Sequence, residues 1–199
     1  MNSPAIALYK KRRSQYALGR NLPISKEDAN HLIKHAVREA PSAFNSQPSR
    51  SVILHGEQSV KFWNLVKDAL RAIVPAEAFA TTESKIDSFA AGAGTVLFYT
   101  DSEVTSGLQQ QFPLYAENFP VWAEHASGMS QFAVWTALAE AGIGASLQHY
   151  NPLVDEAARR EWGIPESWVL RAQMPFGSHE AEFGERPHMD DEIRFKVFG

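Results

Sequence analysis

No cysteine occurs among the 199 residues. That excludes disulfides, thiolate zinc sites, cysteine nucleophiles and iron–sulfur clusters on cysteine ligands. Long apolar runs are missing too: none reaches the roughly 18 residues that a membrane helix needs. Met1 to Lys10 lacks an apolar stretch ending in a small-residue cleavage site, so no signal peptide is read. The expectation is a cytoplasmic protein with no membrane segment. No linker, internal repeat or low-complexity tract interrupts the chain, so residues 1–199 are read as one domain. A chain of this length can bury a core without covalent staples.

Net charge is small, with 19 basic and 23 acidic residues, but it is unevenly spread. Residues 1–50 hold nine basic and three acidic residues; residues 51–199 hold ten and twenty. A cationic start on an anionic body suits a local anion site or a subunit contact. A general nucleic-acid surface is disfavoured, because most of the protein would repel phosphate.

The spacing predicts a helix over Ser25–Glu39, with Ser25 as N-cap, and it ends at Pro41. Further helices are expected over Glu57–Val74, Pro120–Ala141 and Asp155–Trp162. Strands are expected at Arg50–His55, Thr95–Thr100 and Ser167–Phe176, with Gly144–His149 as strand and loop. Glu192–Phe198 alternates charged and apolar residues and reads as a strand without a nearby partner. These elements do not alternate as a doubly wound sheet requires, so the fold class is α+β with a mixed sheet.

Several motifs are weak. Gly92-Ala93-Gly94 precedes a strand and Gly142-Ile143-Gly144 follows a helix, whereas a dinucleotide fingerprint needs strand, glycine turn and helix in that order. Both pairs read as turns or caps. His31 and His35 share a helical face but have no third ligand in view. No metal is expected, and His188 with Asp190 to Glu192 reads as a solvated acidic tail.

Three segments carry more. Lys10-Lys11-Arg12-Arg13-Ser14 is either a solvated helix end, a localisation signal or a phosphate clamp, since guanidinium forks match phosphate oxygens. Pro41 to Arg50 (PSAFNSQPSR) is a polar loop whose Asn45 and Gln47 amides suit the edge of a planar heterocycle, or else a turn-rich connector. Gly142 to Pro152 (GIGASLQHYNP) is a second such loop after an apolar helix. The aromatic stretch Phe112 to Trp122 is either a pocket roof or part of a core or interface.

Arg12-Arg13-Ser14, Ala40-Pro41-Ser42 with Asn45-Ser46-Gln47-Pro48, and Gly142-Ile143-Gly144-Ala145-Ser146, in this order and spacing, resemble the FMN-dependent nitroreductase family. Ser49-Arg50 and Leu147-Gln148-His149-Tyr150-Asn151-Pro152 add a likeness to its smaller fungal and bacterial subgroup of about this length. The resemblance implies a mainly antiparallel central sheet flanked by helices. It further implies a homodimer with FMN at the subunit interface and a C-terminal strand exchanged between subunits.

In that reading Arg12, Arg13 and Ser14 hold the phosphate and ribityl chain, and Arg186 returns to the phosphate from the C-terminal end. Pro41, Ser42, Asn45 and Gln47 reach the flavin from the other subunit. Leu147, Gln148 and His149 pass close to the flavin ring. Tyr16 stands near the pyrimidine edge, where larger members carry Lys. The implied activity is two-electron, ping-pong transfer from NADH or NADPH through FMN to a nitroaromatic or quinone acceptor. His149 is a candidate proton donor, because an imidazole titrates near neutrality. The alternative is a flavin-binding regulatory or stress-response protein with little turnover.

Overall fold

A computed structural model describes residues 3–199. Its helices are α1 (Pro4–Lys11), α2 (Lys26–Glu39), α3 (Glu57–Arg71), α4 (Ala76–Ala90), α5 (Ser102–Gln111), α6 (Asn118–Glu140), α7 (Asp155–Trp162) and α8 (Asp191–Arg194). Its strands are β1 (Leu18–Gly19), β2 (Ser49–His55), β3 (Gly94–Asp101), β4 (Gly144–Ala145) and β5 (Trp168–His179). The sheet order is β1-β5-β3-β2, with β4 also on β5. Every ladder is antiparallel. A single parallel bridge, Ser14 to Ala145, lies outside them. The expected α+β class with a mainly antiparallel sheet is what the chain forms.

β3 is the centre because its run GTVLFYTD is buried along its whole length. A strand covered on both faces needs apolar side chains pointing both ways, and alternation then divides them. Leu97 and Tyr99 pack with Phe62, Trp63 and Val66 of α3, Phe89 of α4 and Ala158 of α7. Val96 and Phe98 pack on the opposite face with Ile33 of α2 and Val134 and Leu138 of α6. Around Thr95 the buried polar atoms are paired: Trp63 Nε1 donates to Thr95 Oγ1 at 2.9 Å, and the Ser59 and Thr95 hydroxyls meet at 2.7 Å; the buried Tyr99 hydroxyl has no partner. Where β3 meets β5 the register slips between Phe98 and Tyr99, whose partners are Ala172 and Leu170. The skipped residue, Arg171, turns to Thr100 and Glu124.

α2 starts as its sequence predicts, with Ser25 Oγ accepting the Asp28 N–H at 3.0 Å. Gly142, at φ +78°, ends the run after α6. α3 stops at Arg71, three residues before the expected end. α1, α4 and α5 are additions to the expected elements.

The C-terminal expectation is corrected. Glu192–Phe198 is not a strand. Asp190 Oδ1 accepts the Glu192 N–H at 3.0 Å, and the Arg194 and Phe195 amides bond back to the carbonyls of Asp190 and Asp191. This aspartate cap opens the short helix α8 and breaks the alternation that suggested a strand.

Candidate functional site

The site grows from how α1 delivers its basic end. Arg12 caps α1 with an extended backbone, and the chain then runs along β4. Gln15 N–H donates to the Ala145 carbonyl at 2.9 Å. The buried Gln15 side chain is anchored in turn, donating to the Ala181 carbonyl at 2.7 Å. This approach explains Gly144: a Cβ there would lie 2.9 Å from Gln15 Cγ. Two of the three segments singled out in the sequence are thereby joined by backbone hydrogen bonding.

The C-terminal stretch comes to the same place. Arg186 Nη1 donates to the Arg12 carbonyl at 3.4 Å, and Arg13 Nη2 donates to the Gly184 carbonyl at 2.6 Å. Arg13 also lies over the Phe183 ring, 5.2 Å from its centroid, and Arg12 over Trp135 at 4.4 Å. Among the described residues none of these three guanidinium groups pairs with a carboxylate. Burial first, and then the positive charge of Arg186 and Arg13, lowers the pKa of Arg12. Three neighbouring cations without counter-charge are a cost that a bound oxyanion removes.

Arg12 and Ser14 open onto a cleft of about 470 Å³ with Gly128, Gln131, Phe132 and Trp135 of α6, and Leu147. Positions 128, 131, 132 and 135 share one helical face. Sequence reading missed this α6 contribution. The available signal was Gly128, a mid-helix glycine with nothing within 4 Å of its absent Cβ. Trp135 Nε1 is a buried donor without a partner in this wall. Unspent donor and unpaired cations together fit a phosphorylated, hydroxyl-bearing ligand such as FMN.

The Pro41–Gln47 loop does not line that cleft. It lines another, of about 320 Å³, on the far side of α6. Ser42 Oγ accepts the Gln47 N–H at 2.9 Å, and Gln47 Nε2 donates to the Asn45 carbonyl at 3.3 Å. Phe44, Asn45 and Gln47 all have positive φ, at 58°, 49° and 50°. Three left-handed non-glycine residues in four positions cost backbone energy that tertiary contacts must hold. Part of the hold is aromatic: Phe44 sits 5.1 Å from Phe112, 5.6 Å from Phe119 and 6.1 Å from Trp122, centroid to centroid. The stretch Phe112–Trp122 thus packs over the loop.

An apolar opening joins the two clefts. Its lining shares Ala40 and Pro41 with the loop side and Phe132 with the arginine side, and adds Tyr9 and Met129. Tyr9, Met129 and Phe132 are about two-fifths exposed, although α6 carries no Lys or Arg and has apolar residues around its circumference. Such a helix is ordinarily covered.

The remaining sequence candidates lie elsewhere. Gln148 is built into the sheet edge, exchanging backbone hydrogen bonds with Gln173, and its amide donates to Ser146 Oγ at 3.0 Å. His149 is exposed. Tyr16 is exposed and 6.4 Å from the Phe89 ring, on the α4 side. His31 and His35 stand 6.5 Å apart, and no three potential metal ligands gather among the described residues. No helix among the described residues is long and apolar enough to cross a membrane.

The nitroreductase family profile matches residues 9–178. The chain belongs to the nitroreductase family. HBN1 of Saccharomyces cerevisiae, described as a nitroreductase, is 39% identical over 95% of this chain and 97% of its own. The nitroreductase CinD from Lactococcus lactis, in complex with chloramphenicol, is 50% identical, with a TM-score of 0.90 over 98% of this chain and all of that one. CinD has also been solved with 4-nitrophenol and with nicotinic acid, and both share 50% identity with this chain. A nitroreductase of Desulfovibrio desulfuricans, solved with FMN, shares the fold at a TM-score of 0.71 and 19% identity. The sheet flanked by helices is therefore the nitroreductase fold.

Proposed function

We propose that this nitroreductase-family chain is an FMN-dependent oxidoreductase that works as a homodimer. It takes electrons from NADH or NADPH and passes them to small aromatic acceptors such as nitroaromatics or quinones. The observation that carries the reading is the unpaired trio Arg12, Arg13 and Arg186 beside the α6 cleft. In a chain with four more acidic than basic residues, three guanidinium groups without counter-charge ask for a resident oxyanion.

FMN, when bound, supplies two-electron hydride chemistry to a donor and an acceptor that use the same opening in turn. The chain's own residues then have separable tasks. Arg12, Arg13 and Arg186 neutralise the phosphate, and Ser14 offers a hydroxyl to the same end. Trp135 Nε1 and Gln131 provide donors along α6. Leu147 supplies an apolar wall, and the adjoining backbone of Gln148 is held still by its pairing with Gln173. The Asn45 and Gln47 amides belong to a left-handed loop on the other side of α6. One chain therefore presents two half-sites, and a second copy laid along the apolar opening would bring the loop of each to the arginines of the other.

The acceptor class follows from the aromatic wall. Phe44, Phe112 and Trp122, backed by the buried Phe119, offer ring faces and edges to a flat partner, and the CinD complexes with 4-nitrophenol and chloramphenicol support aromatic acceptors here. The nicotinic acid complex of CinD supports a nicotinamide donor in the same way.

The test is anaerobic mixing of flavin-loaded protein with NADH and with NADPH, followed by 4-nitrophenol or a benzoquinone. Rapid bleaching of the flavin absorbance by at least one nucleotide, and its recovery on adding acceptor, is expected. A flavin that neither nucleotide reduces would overturn the enzymatic reading and favour a flavin-binding regulatory role.

A further inference from the structure

The cleft beside the Pro41–Gln47 loop has a chemistry that flavin binding leaves unused. Lys34 and Arg38 of α2 are four residues apart, so they share one helical face, and both line it. Among the described residues neither forms an ion pair. Arg50 lines the same cleft but is committed: it pairs with Asp101 at 3.0 Å and donates to the Gln47 carbonyl at 2.7 Å. The rest of the polar wall is hydroxyl-rich. Ser42 Oγ accepts from the Gln47 amide, which leaves its own proton to give. Ser130 Oγ donates to Ser49 Oγ at 3.0 Å, so the Ser49 proton is likewise free. Ser51 adds a further hydroxyl, and no carboxylate lines the cleft.

Two free cations and three hydroxyl donors with no acid group match a phosphate oxyanion. A neutral sugar would leave the two cations unused, and an amine would be repelled by them. The position narrows the ligand. The cleft shares Pro41, Ser42 and Gln47 with the loop assigned to the flavin ring, and it lies across α6 from the Arg12 cluster.

We infer that Lys34 and Arg38, with the Ser42, Ser49 and Ser51 hydroxyls, form a second oxyanion site that holds the phosphate-bearing half of the nicotinamide donor. This rests on the proposed donor. The shared chemistry is a phosphate group, either the diphosphate bridge common to NADH and NADPH or the 2′-phosphate of NADPH alone. A group bound equally before and during hydride transfer affects KM and leaves kcat nearly unmoved.

The experiment compares the flavin-loaded wild type with Lys34→Ala/Arg38→Ala, using NADPH, NADH and reduced nicotinamide mononucleotide, which has neither the diphosphate bridge nor the 2′-phosphate. Expected is a rise in KM of about tenfold for the dinucleotides, kcat within about twofold, and no change for the mononucleotide. A rise for NADPH alone assigns the 2′-phosphate; a rise for both dinucleotides assigns the diphosphate. Unchanged KM for all three, or an equal rise that includes the mononucleotide, overturns the site. Calorimetric titration with inorganic pyrophosphate provides a readout independent of turnover. The wild type is expected to bind it about tenfold more tightly than the double variant, and equal binding overturns the site. If no nucleotide reduces the flavin but pyrophosphate binding still falls in the variant, the oxidoreductase reading fails while the anion site stands.

Discussion

The two faces of the sheet are finished to different degrees. On the face of α3, α4 and α7, Trp63, Phe62, Phe89 and Ile86 are fully buried, and the Trp63 indole N–H has its acceptor in Thr95. Charged pairs close the rim, as where Lys67 and Arg71 of α3 meet Glu83 of α4. On the face of α1, α2 and α6 the inner layer is equally dry, with Ile33, Val134 and Leu138 buried. Its outer layer is unfinished: Met129 and Phe132 stand exposed, and among the described residues Arg12, Arg13 and Arg186 pair with no carboxylate. One face is closed by the chain itself. The other has spare apolar area and spare positive charge, and on these rest the proposed second subunit and phosphorylated cofactor.

The comparison breaks if perturbing the closed face acts through flavin, or if perturbing the open face acts through folding. The largest effect is expected from Trp63→Ala, which removes a fully buried indole and leaves the Thr95 hydroxyl without its donor. Denaturant unfolding should show a loss of about 3–5 kcal/mol, of the same size with and without flavin. A loss below about 1 kcal/mol would mean that this face is not the stabilising one.

Next is Arg12→Ala with Arg13→Ala. Two charge-assisted contacts, each worth about 1.5–3 kcal/mol, predict a flavin dissociation constant raised by at least about 100-fold. Far-UV circular dichroism should be unchanged. Full flavin occupancy in the double variant would remove the phosphate clamp from the account.

Gly128→Ala separates the two currencies on one residue. A methyl group there meets nothing within 4 Å in the single chain. Helix propensity then predicts that flavin-free protein gains about 0.5–1 kcal/mol, seen as a higher Tm. The same methyl group would intrude on the cleft, so flavin affinity should fall. Stability and affinity rising together would contradict the placement of the ligand against α6.

The smallest effect is a pH dependence on α2 and β2. His55 Nε2 lies 2.7 Å from Asn30 Oδ1, and burial, then Lys26, lowers the imidazole pKa below its usual 6.5. The folded chain therefore binds fewer protons than the unfolded chain near that pH. This contribution is fully present above about pH 6.5 and is lost as pH falls through the folded value. Unfolding measured at descending pH should show a loss of stability in the wild type that is absent in His55→Gln. A parallel pH profile in the variant would assign the effect to another group.

Much of this was legible in the residues. The run Thr95–Thr100 read as a strand, and Ser25 marked the start of α2. Arg12-Arg13-Ser14 and Gly142–Ser146 were visible as motifs. Their union through Gln15 and Ala145 was not, because a backbone hydrogen bond between residues 130 positions apart leaves no local pattern. α4 was missed because Phe79, Ile86 and Phe89 are too sparse to mark an apolar stripe without the Trp63 wall they pack on. Glu192–Phe198 misled, since its alternation matched a strand while Asp190 supplied a helix cap. The wall at Gly128, Gln131 and Trp135 was hidden inside a helix apolar on every side, where periodicity does not say which face binds.

The most direct test of the central claim is sedimentation of the purified protein, followed at protein and flavin wavelengths together. One yellow species at twice the 22.1 kDa chain mass, with FMN and polypeptide in equal numbers, is expected. A colourless species at the single-chain mass that stays unchanged after incubation with excess FMN would contradict it.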